Sequence, residues 1–454
     1  MFGLFESQEK KMRDNASNWL ELASKVWNYR RDRLTVQESD ELVERTENLK
    51  QLLKNRADAA RLKLGIESLE GILVRAGGAI YPKTSLVENV EFFLVAAIVI
   101  LGIRTYFVQP FKIPTNSMWP TYYGMTKENF PPGTAAPNMP EKVFRFLAYG
   151  AQPRIAVAPQ DGQVSVPLVR RGDTWTLAYT IRQGRSWLVL PTKVKEYTFY
   201  VDGATSTLQV PVDFSDVDDV VFDTFFPDRA ALKAHVQSEE EAGHVEEISL
   251  RLDDSNVHSG VYEALRVPVG KAVKAGEPIV RFDIMTGDQL FVDRVTYQFF
   301  KPTVGQGFVF RTDNIPDIAR TFGAQYFIKR LIGTPGDEIE MREPRIYRNG
   351  APITGSTTFE LNANRVSPYR GYFNAIHEDS RYSLLFKGDV IRVPDGSYLA
   401  LGDNSMNSFD GRFWGYVPAK DVVGRPLFIY YPFTRRWGPA SNRRPTSAQV
   451  RVAG

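Results

Sequence analysis

One apolar segment limits what this chain can be. "VENVEFFLVAAIVILGIRTYFVQPF" runs from Val87 to Phe111. Its uncharged heart, Phe92 to Ile103, is twelve residues, a length that suits a buried helix or a signal-type segment. Continued through Arg104 to Val108 it reaches spanning length. Arg104 can then snorkel to the far interface, and Tyr106 and Phe107 suit an interfacial belt. The reading adopted is a single membrane anchor over residues 88–110, with a core helix as the alternative. Lys and Arg counts on the two flanks are too alike to set its orientation. The N-terminus lacks the short basic-then-apolar form of a cleavable signal.

Directly behind this segment stands "PFKIPTNSMWPTYYG", Pro110 to Gly124. Pro110, Pro114 and Pro120 fix φ and remove donors, which describes a rigid turn leaving a membrane helix. The same turn could present Ser117 as a nucleophile at the bilayer surface, and the rest of the chain has to choose.

Composition excludes several chemistries. The chain has 454 residues, enough for two or three domains, with 43% hydrophobic and 24% charged residues. A net charge of +3 leaves no electrostatic footprint for nucleic acid. With no cysteine there is no disulfide, thiolate metal site or Cys nucleophile. The four histidines, His235, His244, His258 and His377, have no metal-ligand spacing, and no cofactor or metal is expected.

The flanks of the anchor differ in kind. Residues 1–85 place apolar residues at helical spacing on a charged background, as a helical hairpin or short coiled coil. Thr35 with Glu38 predicts a capping box, and Gly77 and Gly78 predict the end of the second helix. After the serine turn, "KENFPPGTAAPNMPEK" reads as a linker, and then alternating segments such as "TWTLAYTIRQG" and "STLQVPVDF" read as strands. "RAALKAHVQSEEEAGHVEE" reads as an acidic, helical interruption. The tail, residues 438–454, reads as disordered.

Three separated stretches carry chemistry: "IPTNSMWPT", "QYFIKRLIGTPGDEI" and "YLALGDNSMNSFDGRFWGYVP". Together they resemble type I signal peptidases, membrane-bound serine proteases with a Ser-Lys dyad. The family pattern PS-x-SM-x-PT matches Pro114 to Thr121, with Thr115 in place of the first serine. Y-x-KR-x-x-G-x-PGD matches Tyr326 to Asp337, and GDN-x-x-NS-x-D-S/G-R-x-WG-x-VP matches Gly402 to Pro418. The resemblance covers residues 88–124 and 285–432. It lapses over the N-terminal helices and most of 125–275, which implies a large inserted domain between Ser117 and Lys329.

The expected fold is therefore mainly β: a signal-peptidase-like catalytic core from residues 111–124 and 276–437, a β-rich insertion over 125–275, a helical N-terminal region and one transmembrane helix. The resemblance implies cleavage of signal peptides from exported preproteins, with lipid and preprotein as partners. It also implies a single-pass protein of the cell (inner) membrane with its catalytic domain on the extracytoplasmic side. The alternative is a non-catalytic, membrane-tethered binding protein on a peptidase-like core. A self-cleaving regulator with the same dyad would carry a DNA-binding domain, and nothing here resembles one.

The chemistry asks for these residue types. A serine hydroxyl needs a base, and a lysine is one only when neutral. An apolar site disfavours the ammonium, and alternation in "YFIKRLIG" puts Phe327, Lys329 and Leu331 on one face. Arg330, on the other face, reads as an edge or snorkelling residue. By resemblance Ser117 N–H and the Thr115 hydroxyl serve the oxyanion, Ser408 orients the lysine, and Asp403, Asp410 and Arg412 form a supporting ion-pair network. Local turn chemistry explains Asp403 and Asn404 equally well. Met118 and Trp119 are expected to pack the serine loop and touch lipid or substrate.

Overall fold

A computed structural model describes residues 8–130, 134, 137–172, 174–186, 190–254, 258–375 and 384–440. Residues up to Gly102 and residues from Ile103 onward form two compact units.

The first unit begins with helices Gln8–Arg30, Val36–Lys54 and Ala59–Ala76. Thr35 and Glu38 make the predicted capping box, and Gly77 is the C-cap of the third helix. The expected hairpin gains a break, because the run read as one helix up to Gly77 divides at residues 55–58. Asp58 accepts the Arg61 N–H at 2.8 Å and caps a new helix, while Arg56 takes a positive φ of 51°. In "KNRAD" the Asp58 side chain offers the backbone a local partner, which wins over helix continuation. The break lets Leu42 and Leu49 pack with Leu62, Ile66, Leu69 and Leu73, and with Ala16, Ala23 and Val26. Gly65 permits the close approach: a Cβ there would lie 2.8 Å from Leu52.

The apolar segment forms the helix Ser85–Tyr106, 22 residues long with none of them buried. Its length is about 33 Å at 1.5 Å per residue. Phe92, Phe93 and Ile98 are each about two-thirds exposed, so the core-helix alternative does not hold. By length and composition this helix can cross a membrane. Glu88 in the first turn and Arg104 in the last complement its dipole.

One residue, Phe107, separates this helix from the first strand of the second unit. The strands Val108–Lys112, Gln289–Asp293, Val422–Tyr431, Gly307–Arg311, Tyr326–Gly333, Ser397–Leu401 and Val417–Pro418 follow one another across an eight-stranded antiparallel sheet. Its eighth strand, Gly438–Pro439, pairs with Val422–Tyr431. Residues 438–440 are therefore not part of a disordered tail: Ala440 is buried and donates its N–H to the Leu427 carbonyl at 2.9 Å. Residues 441–454 of the expected tail lie outside the described residues. A four-stranded sheet within 338–392 shares a core with the large sheet through Ile339, Met341, Phe359, Tyr372, Leu399 and Leu401.

Residues 162–273 build a seven-stranded sheet of their own, and the acidic stretch is the helix Arg229–Glu241. A three-stranded sheet joins Thr126–Asn129 and Gln152–Val157 to Pro278–Met285. Here the structure departs from the boundary expected at 275. Pro278–Met285 pairs with strands that precede residue 160, and its Ile279, Phe282 and Ile284 lie in the core of the 162–273 body. "PIVRFDIM" shows that a strand forms; which sheet it joins is a tertiary matter. The chain leaves and returns at one point: a Cβ on Gly287 would lie 1.9 Å from the Ile113 carbonyl oxygen and 3.0 Å from the Gly124 Cα. Helix and strand are both substantial across the chain, so "mainly β" describes the second unit rather than the whole.

Phe282 is fully buried and stacked on Phe214, with ring centroids 6.0 Å apart. Phe282→Ala should destabilise the protein by about 3–5 kcal/mol, read by denaturant unfolding. A loss below about 1 kcal/mol would show that Pro278–Met285 is not part of that core.

Candidate active site

Ser117 sits in the 3₁₀ turn Asn116–Met118. The turn is clamped from within and from across the sheet. Asn116 Oδ1 accepts the Gly124 N–H and its Nδ2 donates to the Met125 carbonyl, each at 2.9 Å. The Met125 N–H donates to the Pro114 carbonyl at 3.0 Å. From the distant loop, the Asn404 N–H donates to the Ser117 carbonyl and Asn404 Nδ2 to the Asn116 carbonyl, each at 3.1 Å. Met118 is fully buried, with Ile113, Tyr122, Leu290 and Val292. Two glycines make the fit possible. A Cβ on Gly124 would come 2.2 Å from the Thr115 carbonyl carbon, and one on Gly402 would come 2.5 Å from the Ser117 carbonyl oxygen.

Lys329 comes from the strand Tyr326–Gly333, hydrogen-bonded on one side to Gly307–Arg311 and on the other to Ser397–Leu401. It faces Phe308 in the register, and Leu331 beside it is fully buried. Nζ lies 5.6 Å from the centroid of Phe327, as the alternation predicts. Lys329 is 4% exposed and Nζ is 2.5 Å from Ser117 Oγ. Burial pushes its pKa down to about 8; the charges of Asp410 and Asp403 oppose that fall, and Arg412 adds to it.

The two carboxylates near the lysine are each held by an arginine. Arg330, on the opposite face of the strand, is buried and grips Asp403 through Nε–Oδ1 at 2.6 Å and a terminal nitrogen to Oδ2 at 2.5 Å. The snorkelling reading of Arg330 is therefore corrected. The strand is central, so its second face is as dry as its first. Thr121 Oγ1 also donates to Asp403 Oδ2, at 2.5 Å. Arg412 binds Asp410 through Nε at 2.8 Å and a terminal nitrogen at 2.9 Å. Arg412 also donates to the carbonyls of Phe373 and Ser405 at 2.7 and 2.6 Å. Burial pushes the Asp410 carboxyl up, but Arg412 and the Gly402 N–H outweigh it and hold it below the usual range. The expected single network of Asp403, Asp410 and Arg412 is thus two separate pairs, with Arg330 the member that sequence reasoning missed. Its signal was the position next to Lys329 on a strand with partners on both sides.

Ser408 is buried, but its Oγ makes no hydrogen bond among the described residues. It lies close to Gly402, where a Cβ would come within 2.1 Å of it, and no hydrogen bond joins it to Lys329. Thr115 is exposed and extended, at φ −111° and ψ 156°, and its side chain makes no capping bond to the turn. His235 and His244 find their partners elsewhere, at the Pro268 carbonyl and Glu239, and His377 lies outside the described residues.

The arrangement places a hydroxyl against an amine whose charge is disfavoured, a pairing suited to acyl transfer. Residues 277–431 match the model of a family described as signal peptidase, peptidase S26. That span includes Lys329 and the loop from Gly402 to Arg412, and Ser117 precedes it. A protein named "Probable signal peptidase I-1" from Synechocystis sp. (strain ATCC 27184 / PCC 6803 / Kazusa) is 33% identical over 152 residues, which is 34% of this chain and 66% of that protein. Signal peptidase I of Leptolyngbya laminosa is 30% identical over 148 residues, 33% of this chain and 62% of that protein. The chain thus spans less than two thirds of the length of these curated relatives. A solved signal peptidase I from Enterococcus faecalis V583 is 26% identical, covering 28% of this chain and 97% of that one at a TM-score of 0.20, too low to speak to the fold. The family match and the curated relatives alike support a type I signal peptidase.

A lysine whose folded pKa is below its unfolded value binds fewer protons when folded. It therefore costs stability most below about 8, and the cost fades as pH rises toward the ordinary lysine value. Lys329→Met should stabilise the protein at neutral pH by an amount on the order of a few kcal/mol, and by less at alkaline pH. Unfolding at several pH values checks this; a destabilised variant, or a gain that grows with pH, would contradict it.

Proposed function

We propose that this chain is a membrane-bound serine endopeptidase that removes signal peptides from exported preproteins. The observation that carries the proposal is the 2.5 Å contact between Ser117 Oγ and a buried Lys329 with no carboxylate paired to it among the described residues. Ser117 attacks the scissile carbonyl, and neutral Lys329 takes the hydroxyl proton and delivers it to the departing amine. The same lysine then activates the water that releases the acyl-enzyme. The Ser117 N–H and the Thr115 hydroxyl, which makes no capping bond to the turn, serve the developing oxyanion. Asp403, Asp410 and Arg412, with Arg330, act by shaping the loop around the dyad, and Ser408, whose buried Oγ has no hydrogen bond among the described residues, orients the lysine during turnover. The reading as a relic core requires a separated serine and lysine, and the contact weighs against it.

The helix Ser85–Tyr106 is the anchor in this reading. One residue joins it to the catalytic sheet, and the membrane it crosses is the one from which signal peptides emerge. The catalytic unit lies on the extracytoplasmic side. The body of residues 126–286 is an insertion, entered and left at the adjoining Gly124 and Gly287.

Ser117→Ala and Lys329→Ala should each lower kcat on a signal-peptide substrate by roughly a thousandfold or more, with the double variant no worse than either single. In the unaltered protein, kcat should rise as pH climbs through about 8 and the lysine loses its proton. Substantial cleavage by the lysine variant, or a flat pH profile with chemistry limiting, would refute the dyad.

The insertion reading has its own test. Met125 clamps the serine turn and so has to stay, which sets the junction between Met125 and Gly287. A chain joined there by a short Gly–Ser linker should fold and keep measurable cleavage of a simple peptide. A folded but wholly inactive product would show that the body completes the site.

A further inference from the structure

A cavity beside the serine turn plays no part in the dyad chemistry. It measures about 440 Å³ and is lined by Trp119, Arg365, Pro368, Tyr369, Arg370 and Phe373. Neither arginine makes an ion pair among the described residues. Arg365 is held in place at φ 49°, with its guanidinium 6.0 Å from the centroid of Phe373. Gly371 beside it, at φ 100°, leaves room: a Cβ there would touch the Arg365 Nε at 3.4 Å. Two guanidinium groups without an ion pair among the described residues, that of Arg365 beside the Phe373 ring, line one cavity and suit an anion, with the fork geometry that carboxylates and phosphates fit.

Position identifies the occupant. Trp119 is two residues beyond Ser117, no more than about 7.6 Å of chain. The Tyr369 hydroxyl lies 3.3 Å from Thr121 Oγ1 on the same loop. An extended peptide advances about 3.3 Å per residue, so side chains a few residues from the scissile bond reach the cavity. On the cleavage reading, the half of the substrate before the cut emerges from the membrane, where a carboxylate is costly. An acidic side chain is therefore less costly in the half that follows. Resting on that reading, we infer that the cavity binds a substrate carboxylate carried within the first few residues after the cut, paired to Arg365 and Arg370.

The test uses the full chain in detergent micelles and signal-type peptides that differ at one position, Glu or Gln, placed in turn at each of the first residues after the cut. At one position the Glu peptide should have a kcat/KM about fivefold above its Gln counterpart, a preference that weakens with salt. In Arg365→Gln/Arg370→Gln the ratio should fall to about one, and in Arg365→Glu/Arg370→Glu a Lys peptide should outrun the Glu peptide. No Glu preference at any position overturns the inference, as does a preference that survives in the variants. An equal loss on every peptide would mark a structural role, and an equal loss seen only with anionic phospholipid vesicles would mark a lipid phosphate site; either overturns it. If no peptide is cut at all, the cleavage reading fails on its own account. Anisotropy of labelled Glu and Gln peptides on Ser117→Ala then reads the cavity alone. A Glu preference lost with the two arginines sustains the inference, and its absence overturns it.

Discussion

The arrangement turns on one unfavourable act, the burial of Lys329. An ammonium in an apolar strand is expensive unless a carboxylate pairs with it. Two carboxylates stand close enough to perturb it, Asp410 and Asp403. Each is already gripped at two points by an arginine, Asp410 by Arg412 and Asp403 by Arg330. Neither is paired with the lysine, whose pKa falls through burial against their opposing charge. Arg412 does more than stabilise a loop: its charge offsets part of the pull of the carboxylates on Lys329. The strand position supports the same end, because hydrogen-bonded neighbours on both sides deny water access from either edge.

Holding Ser117 against that lysine is a separate problem. The two residues are 212 positions apart, and the serine turn sits just outside the strand Val108–Lys112. The solution is mostly backbone. Asn116 closes the turn on itself, Asn404 fastens it from the opposite loop, and Gly402 and Gly124 remove the Cβ atoms that would hold those surfaces apart. Long separation in sequence costs little because the chain between Gly124 and Gly287 folds as a body whose ends meet. Loop closure is satisfied inside that body rather than at the site.

The serine loop also contributes Trp119 to the cavity of Arg365 and Arg370. Tyr369 joins its wall to Thr121 and so to Asp403. The cavity wall and the support of the dyad thus share atoms, and the rigidity that positions Ser117 also fixes the nearby walls.

Much of this was legible in the chain. The spanning-length helix, the Thr35 capping box and the alternation that sets Lys329 beside Phe327 are local facts, decided by residues within a few positions of one another; that Ser117 is buried rather than presented at the surface is not. The three chemical stretches were visible because each has an unusual, ordered set of residues. What could not be read locally was partnership. Arg330 looked like a solvated edge residue because nothing in "YFIKRLIG" says that both faces are covered. Asn404 looked like turn chemistry, since its bond to Asn116 crosses the fold. Pro278–Met285 declared itself a strand but not which sheet it would join, and the break before Asp58 became a helix boundary once the second and third helices could pack on each other. Asp403, Asp410 and Arg412 were recognised as charges, yet their division into two pairs depends on which arginine the folded loop brings within 3 Å of each carboxylate. Period, caps and turns are short-range and belong to the sequence; burial, pairing and the pKa of Lys329 depend on what covers each side chain, and only the tertiary structure supplies the cover.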